Sequence, residues 1–296
     1  MVVVAVIGGA GRMGIWFASF LSANGYRVII CDKNVSAARS LAKKHGFKFV
    51  KSPTQAAQLS EIVLLATPAL ATESLLKKIA SHTAQAPLLV EISSIKEPVK
   101  KTIRTLTRRG TKIMSIHPMF GPGARSLTGK SIIVTHEPRN CAPARKLLSI
   151  LSKRGGKIIR CSLEDHDQFM ATTLALPHLM NFAFIDTVRQ AGLTLDKARA
   201  MGGTTFELQL LIAEALYHEN PRVEASILAD NRKHNRKTFA SFVQQIDQVR
   251  DIIERKTTTE LLRRFRSDAA YVRKNKLFST AHERFIAAVE ASTSCS

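Results

Sequence analysis

The apolar run Val2–Ile7 leads without interruption into Gly9-Ala10-Gly11-Arg12-Met13-Gly14, and Trp16, Phe17, Phe20 and Leu21 follow at helical spacing. A strand that turns through Gly-x-Gly-x-x-Gly into a helix points to the first βα unit of a doubly wound α/β sheet. The same residues say what such a unit binds. Gly9 is expected to permit the tight turn, Gly11 to leave the backbone open to a pyrophosphate, and Gly14 to let the helix lie close on the sheet. Ala10, Arg12 and Met13 complete the turn, where unpaired N–H groups and the positive helix end face the phosphates. Thr67 and Pro68, after a later strand, and Ser93 join them as cofactor-binding candidates.

Asp32 ends the second strand, 18 residues past Gly14. A carboxylate there accepts hydrogen bonds from both adenosine ribose hydroxyls and repels a 2′-phosphate, which favours NAD over NADP. Lys33, Arg12 and Arg39 stand nearby, and cations of this kind can accommodate that phosphate, so NADP stays the lesser alternative.

Further along, short apolar runs alternate with helical stretches. Strands are expected at Arg27–Cys31, Phe47–Val50, Ile62–Ala66, Leu88–Ile92, Lys112–Ile116, Ser131–Thr135 and Lys157–Arg160. Strands apolar on both faces and separated by helices predict a parallel sheet covered on each side. From Leu163 strand signals vanish. Helices are expected over Leu163–Ala191, Leu195–Tyr217, Pro221–Glu254 and Thr258–Lys274, with Pro177 kinking the first. The expectation is a Rossmann-type domain over 1–162 and a helical substrate and dimerisation domain over 163–296.

Net charge is +21, and residues 1–162 hold 26 Lys/Arg against 6 Asp/Glu, so the excess belongs to the first domain. That balance attracts anionic ligands or is solvated surface charge. Nucleic acid is not expected as a partner, because no zinc-finger spacing appears and three Tyr and one Trp offer little for base stacking. Cys31, Cys141, Cys161 and Cys295 lack paired spacing, so neither a metal site nor a disulfide framework is expected. No apolar run reaches the roughly 18–20 residues of a membrane span, and the protein is expected to be cytoplasmic.

A second polar group gathers where strands of the first domain end: Glu91-Ile92-Ser93-Ser94-Ile95-Lys96 and, after the next strand, His117-Pro118-Met119-Phe120-Gly121-Pro122. Ligands of open α/β sheets bind beyond the carboxyl ends of the strands, so these residues should face a nicotinamide. A histidine there suits proton removal from an alcohol as hydride leaves the same carbon. Ser94 suits holding the imidazole or the alcohol, and also suits a helix N-cap before Pro98. His178, on a stripe with Met170 and Leu174, reads on its own as a satisfied core histidine rather than a site residue. His166, among acids at a helix start, reads as structural.

Together, the glycine motif, Ile92–Lys96, His117–Pro122, Glu164-Asp165-His166-Asp167-Gln168 with Met170, and Leu176-Pro177-His178 resemble the prephenate/arogenate dehydrogenase family of tyrosine biosynthesis. The resemblance implies oxidative decarboxylation of a cyclohexadienol by a homodimer. His117 would accept the C4 hydroxyl proton, Ser94 would orient His117 and the hydroxyl, and His178 would contact the substrate's side-chain end. Gly121 and Arg125 are further substrate-binding candidates. The chain departs from the family at one point: Ala215 stands where familiar members carry a carboxylate-anchoring arginine, and Arg125, Arg222 and Arg232 are the substitutes at hand. With no chorismate mutase segment or regulatory domain in the sequence, a single activity is expected. Prephenate is the expected substrate and arogenate the nearest rival. A β-hydroxyacid dehydrogenase and a non-enzymatic NAD-binding module are the remaining alternatives.

Overall fold

The computed structural model describes residues 1–82 and 87–293; Cys295 lies outside them. The chain divides into two compact units, Met1–Met170 and Ala171–Ser296. No helix among the described residues is long and apolar enough to cross a membrane.

In the first unit strands and helices alternate: β1 (Val3–Ile7), α1 (Arg12–Ala23), β2 (Arg27–Cys31), α2 (Val35–His45), β3 (Lys48–Phe49), α3 (Pro53–Gln58), β4 (Ile62–Leu65), α4 (Ala69–His82), β5 (Leu88–Glu91), α5 (Glu97–Arg108), β6 (Ile113–Pro118), β7 (Ser131–His136), α6 (Ala142–Lys153) and β8 (Lys157–Arg160), with the short α7 (His166–Met170) closing it. The strands form one sheet in the order β3-β2-β1-β4-β5-β6-β7-β8. Successive side chains point to opposite faces. Val4, Val6, Val28, Ile30, Ile62 and Leu64 therefore enter one core, while Ala5, Ile7, Ile29, Cys31, Val63 and Leu65 enter another. The continuous apolar runs are thus the mark of strands buried on both faces.

The expected parallel sheet is present, with one pair running the other way. β6 and β7 are antiparallel. No helix intervenes between Pro118 and Ser131, and a parallel return would require a crossover element. The helix α3 was also missing from the sequence reading. It is only six residues long, opened by Ser52, whose hydroxyl accepts the Gln55 N–H, and by Pro53; a run that short carries almost no periodicity.

The second unit is helical: a π-helical turn at Ala171–Ala175, then α8 (Leu176–Gln190), α9 (Leu195–Met201), α10 (Thr204–Tyr217), α11 (Pro221–Ala229), α12 (Arg232–Glu254), α13 (Thr258–Val272), a 3-10 turn at Phe278–Thr280 and α14 (Ala281–Thr293). Three expected long helices are broken. The π turn replaces a regular helix just before Pro177, whose missing N–H deprives the preceding turn of a donor. Gly202-Gly203 separates α9 from α10, as two adjacent poor helix formers should. Between α11 and α12, Asn235 Nδ2 donates to the carbonyls of Ile227 and Leu228, both at 2.9 Å, closing a turn that apolar periodicity on either side had concealed.

Candidate functional site

The strand order places β1 and β4 side by side at the centre, where crossovers leave to opposite sides, the position at which open α/β sheets bind ligands beyond the strands' carboxyl ends. There the Gly8 and Gly9 N–H groups both bond the Cys31 carbonyl, at 2.9 and 3.1 Å, wrapping the turn onto the end of β2. The left-handed residue is Gly8 (φ +81°), not Gly9, and a Cβ on Gly8 would stand 2.3 Å from the Ala66 carbonyl oxygen. The tight-turn role expected of Gly9 therefore belongs to its neighbour. A Cβ on Gly14 would stand 2.1 Å from the Gly8 oxygen, so the close approach of α1 to the turn also demands glycine.

Gly11 occupies the N-cap of α1 with no side-chain bond to its first amides. Asp32 turns one carboxylate oxygen to the Ala10 N–H (3.0 Å) and the other to the Asn34 N–H (2.9 Å). Arg12 and Lys33 are exposed beside the turn, and Met13 packs on the core beneath it. Thr67, after β4, meets the Thr72 hydroxyl at 2.7 Å, with exposed Pro68 opening the way into α4. Beyond β5 the Ser93 hydroxyl is buried and has no hydrogen-bond partner among the described residues. An uncapped helix start, a cradle too tight for any Cβ, and an orphaned buried hydroxyl fit a dinucleotide lying along this edge.

His117, 4% exposed, is the penultimate residue of β6 and reaches the same edge. Its Nδ1 lies 3.0 Å from Nε2 of His166, which is fully buried, and His166 Nδ1 lies 2.7 Å from Asp167 Oδ1. Asp167 also accepts the backbone N–H groups of Lys96 (2.9 Å) and Glu97 (2.7 Å), so it caps α5 from outside the helix. The helix start expected to be capped by Ser94 is thus served by a residue 71 positions away. The segment Leu163–Met170, read from sequence as the start of the helical domain, packs with the first unit.

The relay sets protonation. Burial raises the Asp167 carboxyl, but the hydrogen bonds from His166 and the Lys96 amide outweigh it, and the group lies below its ordinary range. An ionised Asp167 only accepts, so His166 carries its proton on Nδ1 and its bare Nε2 accepts from His117 Nδ1–H. The outer nitrogen of His117 is left with a lone pair. Burial, the His166 ring and the Lys96 ammonium, in that order, hold His117 well below the usual histidine range. At neutral pH its imidazole is uncharged.

Behind this relay Lys96 and Glu91 form an ion pair at 2.7 Å with both side chains fully buried. Lys96 Nζ also donates to the Ile116 carbonyl at 2.8 Å, and Ser115 donates to the same Glu91 oxygen. The second Glu91 oxygen accepts the Ser93 N–H at 2.9 Å. Ser94 is half-buried, and among the described residues it makes no hydrogen bond to His117, whose Nδ1 is held by His166.

Exposed Gly121 and Arg125 lie on the connection between β6 and β7. Trp16 of α1 ties this connection down, with its indole N–H donating to the Ala124 carbonyl at 2.7 Å and its ring 4.8 Å from that of Phe120. In the second unit His178 Nδ1 meets Glu224 of α11 at 2.5 Å, so the histidine is satisfied by a carboxylate that its own helix did not advertise. Ala215 is exposed on α10, and Arg222 and Arg232 are exposed near the starts of α11 and α12.

Residues 17–160 match the nucleotide-binding domain of prephenate dehydrogenase, and residues 162–267 match its dimerization domain. The chain belongs to the prephenate dehydrogenase family. The match to the family's nucleotide-binding domain begins after the glycine motif, so the turn at Gly8–Gly14 is independent support. A probable arogenate/prephenate dehydrogenase of Methanocaldococcus jannaschii is 29% identical over 258 residues, 86% of this chain and 57% of that protein. The chain thus spans little more than half the length of such curated relatives. A crystal structure of prephenate dehydrogenase from A. aeolicus, in complex with hydroxyphenyl propionate and NAD+, shares the fold at 20% identity (TM-score 0.74, covering 93% of this chain and 98% of that one). Synechocystis arogenate dehydrogenase does so at 20% identity and a TM-score of 0.69, covering 92% and 99%.

Four groups escaped the sequence reading: Gly8, the His166–Asp167 pair as part of the site, the Glu91–Lys96 pair, and Glu224. The second left a trace, an acid directly following a histidine at a helix start, and Glu91 and Lys96 read as facing a nicotinamide although they are buried against each other.

Proposed function

We propose that the chain catalyses the oxidative decarboxylation of prephenate, with arogenate the alternative substrate, using NAD. The observation that carries this reading is the Asp167–His166–His117 relay, which delivers a lone pair at the dinucleotide edge of the sheet. A bound nicotinamide supplies the acceptor for the hydride of ring C4. His117 takes the C4 hydroxyl proton as the carbonyl forms. The ring carboxylate then leaves as CO2, its bonding pair completes the aromatic ring, and the proton held on His117 returns to the phenolate oxygen. Aromatisation drives the step, so the protein's tasks are orientation and one well-placed base.

Gly9, Gly11, Gly14 and the α1 amides are assigned to the pyrophosphate, Asp32 to the adenosine ribose, and Ser93 with Thr67 to the nicotinamide end. Both Asp32 oxygens can turn from backbone amides to ribose hydroxyls, whereas a 2′-phosphate would meet a carboxylate; this supports NAD. Ser94 is assigned to the substrate hydroxyl. Gly121 and Arg125 are assigned to the ring carboxylate, and His178, backed by Glu224, to the side-chain end, the last on family resemblance. Assay of both substrates with both cofactors tests the proposal. Turnover of prephenate with NAD is expected, and failure to turn over either substrate would overturn it.

A homodimer is proposed as the assembly, supported by the match to a dimerization domain and by apolar side chains left open on α12 and α13. Ile253, Phe265 and Tyr271 are 58, 73 and 77% exposed, a density of large apolar surface that a monomer rarely leaves in water. Phe265→Glu is expected to shift sedimentation from dimer to monomer; an unchanged dimer would place the interface elsewhere.

A further inference from the structure

We propose that Lys96 is a positioning residue for the base: its buried ammonium fixes the strand end that presents His117. The inference rests on the reading of His117 as proton acceptor.

β5 pairs with β6 only as far as Glu91 opposite Ser115. At that point the pairing of β6 with β7 shifts register, between Ser115 and Ile116. An irregularity of this kind bends the strand just ahead of His117 and leaves a carbonyl outside the ladder. Lys96 Nζ takes the Ile116 carbonyl at 2.8 Å while Glu91 holds the same nitrogen at 2.7 Å. The backbone of Lys96 reaches His117 by a second route, since its N–H bonds Asp167, Asp167 bonds His166, and His166 bonds His117. One residue therefore grips both the main chain before the base and the relay behind it.

Packing alone does not call for a lysine there. Removing an ammonium from water is costly, and a Met or Leu would fill the same space between sheet and helix. What a lysine adds is a donor for the stranded carbonyl and a positive charge beside an imidazole. Among the described residues, the charged and titratable groups linked to His117 through these bonds are Lys96, Glu91, His166 and Asp167. Of these, His166 and Lys96 act directly on the ring, and both disfavour its protonation.

The test is Lys96→Met in the full chain, with kcat/KM followed from acid to alkaline pH and the His117 ring titrated by NMR in the resting protein. The acid limb and the NMR midpoint are both expected to move upward by about one pH unit, costing about tenfold in kcat/KM on the acid side. If the unpaired Glu91 prevents folding, Glu91→Gln/Lys96→Met leaves no orphaned charge and is expected to show an upward movement of smaller size. A folded variant with lower kcat but an unmoved limb and midpoint would make Lys96 purely structural and overturn the proposal. An NMR midpoint that moves while wild-type activity proves independent of His117 would leave Lys96's effect on the ring standing and remove the reading of His117 as base.

Discussion

His117→Asn is expected to lower kcat by roughly a thousandfold, within the range for loss of a positioned base, while dinucleotide affinity is unchanged. Asparagine keeps a polar group at the end of β6 but offers no lone pair basic enough to take the hydroxyl proton. The ring's environment adds a pH signature. A base works only when unprotonated, and burial, His166 and Lys96 all lower the tendency of His117 to take a proton. Its working form therefore persists as pH falls through 6.5, the ordinary histidine value, and is lost only well below it. kcat/KM of the wild-type protein should accordingly stay flat through neutrality, with its acid limb on the low side of 6.5. A limb above that value, or near-normal turnover by the asparagine variant, would remove His117 from the role of base.

How much of this was legible in the chain depends on the range of the interaction. The βα unit at Val3–Ala23 was legible because strand, turn and helix are dictated by neighbours within a few residues. Strands buried on both faces announced themselves as unbroken apolar runs, and the edge they share followed from topology. The direction of β7 was legible only through the missing helix between Pro118 and Ser131, because the run Ser131–His136 itself reads the same whichever way it lies. The relay was hidden for a different reason. His117 and His166 are 49 positions apart, and Asp167 finds the start of α5 across 71. Nothing local distinguishes an acid that caps its own helix from one that caps another. The same holds for His178, which sits on an apolar stripe and yet is satisfied by Glu224 from α11, 46 positions on. Lys96 read as one of the strand-end polar residues facing a nicotinamide, and its complete burial is a property of the sheet rather than of its neighbours.

Asp167→Asn separates the orientation of the base from its basicity. The carboxylate of Asp167 accepts from His166 Nδ1 and, through that, sets the direction of every proton in the relay. An asparagine can turn its amide N–H toward the same nitrogen. His166 then carries its proton on Nε2, pointing it at His117 Nδ1, which must become the acceptor. His117 is left with its proton on the outer nitrogen, where the substrate hydroxyl needs a lone pair. The ring is neutral, in place, and in the wrong tautomer. A loss of about a hundredfold or more in kcat is expected, as for a triad whose orienting acid is replaced by its amide. The side chain also caps α5 through the Lys96 and Glu97 amides, and one of those bonds can survive on the asparagine oxygen, so stability should fall by only about 1 kcal/mol. Raising the pH rescues a base that is merely protonated and cannot rescue one whose proton sits on the wrong nitrogen. The Asp167→Asn profile should therefore be depressed at every pH rather than displaced. Recovery of full activity at alkaline pH would show that Asp167 acts through charge alone and that the relay does not set the tautomer.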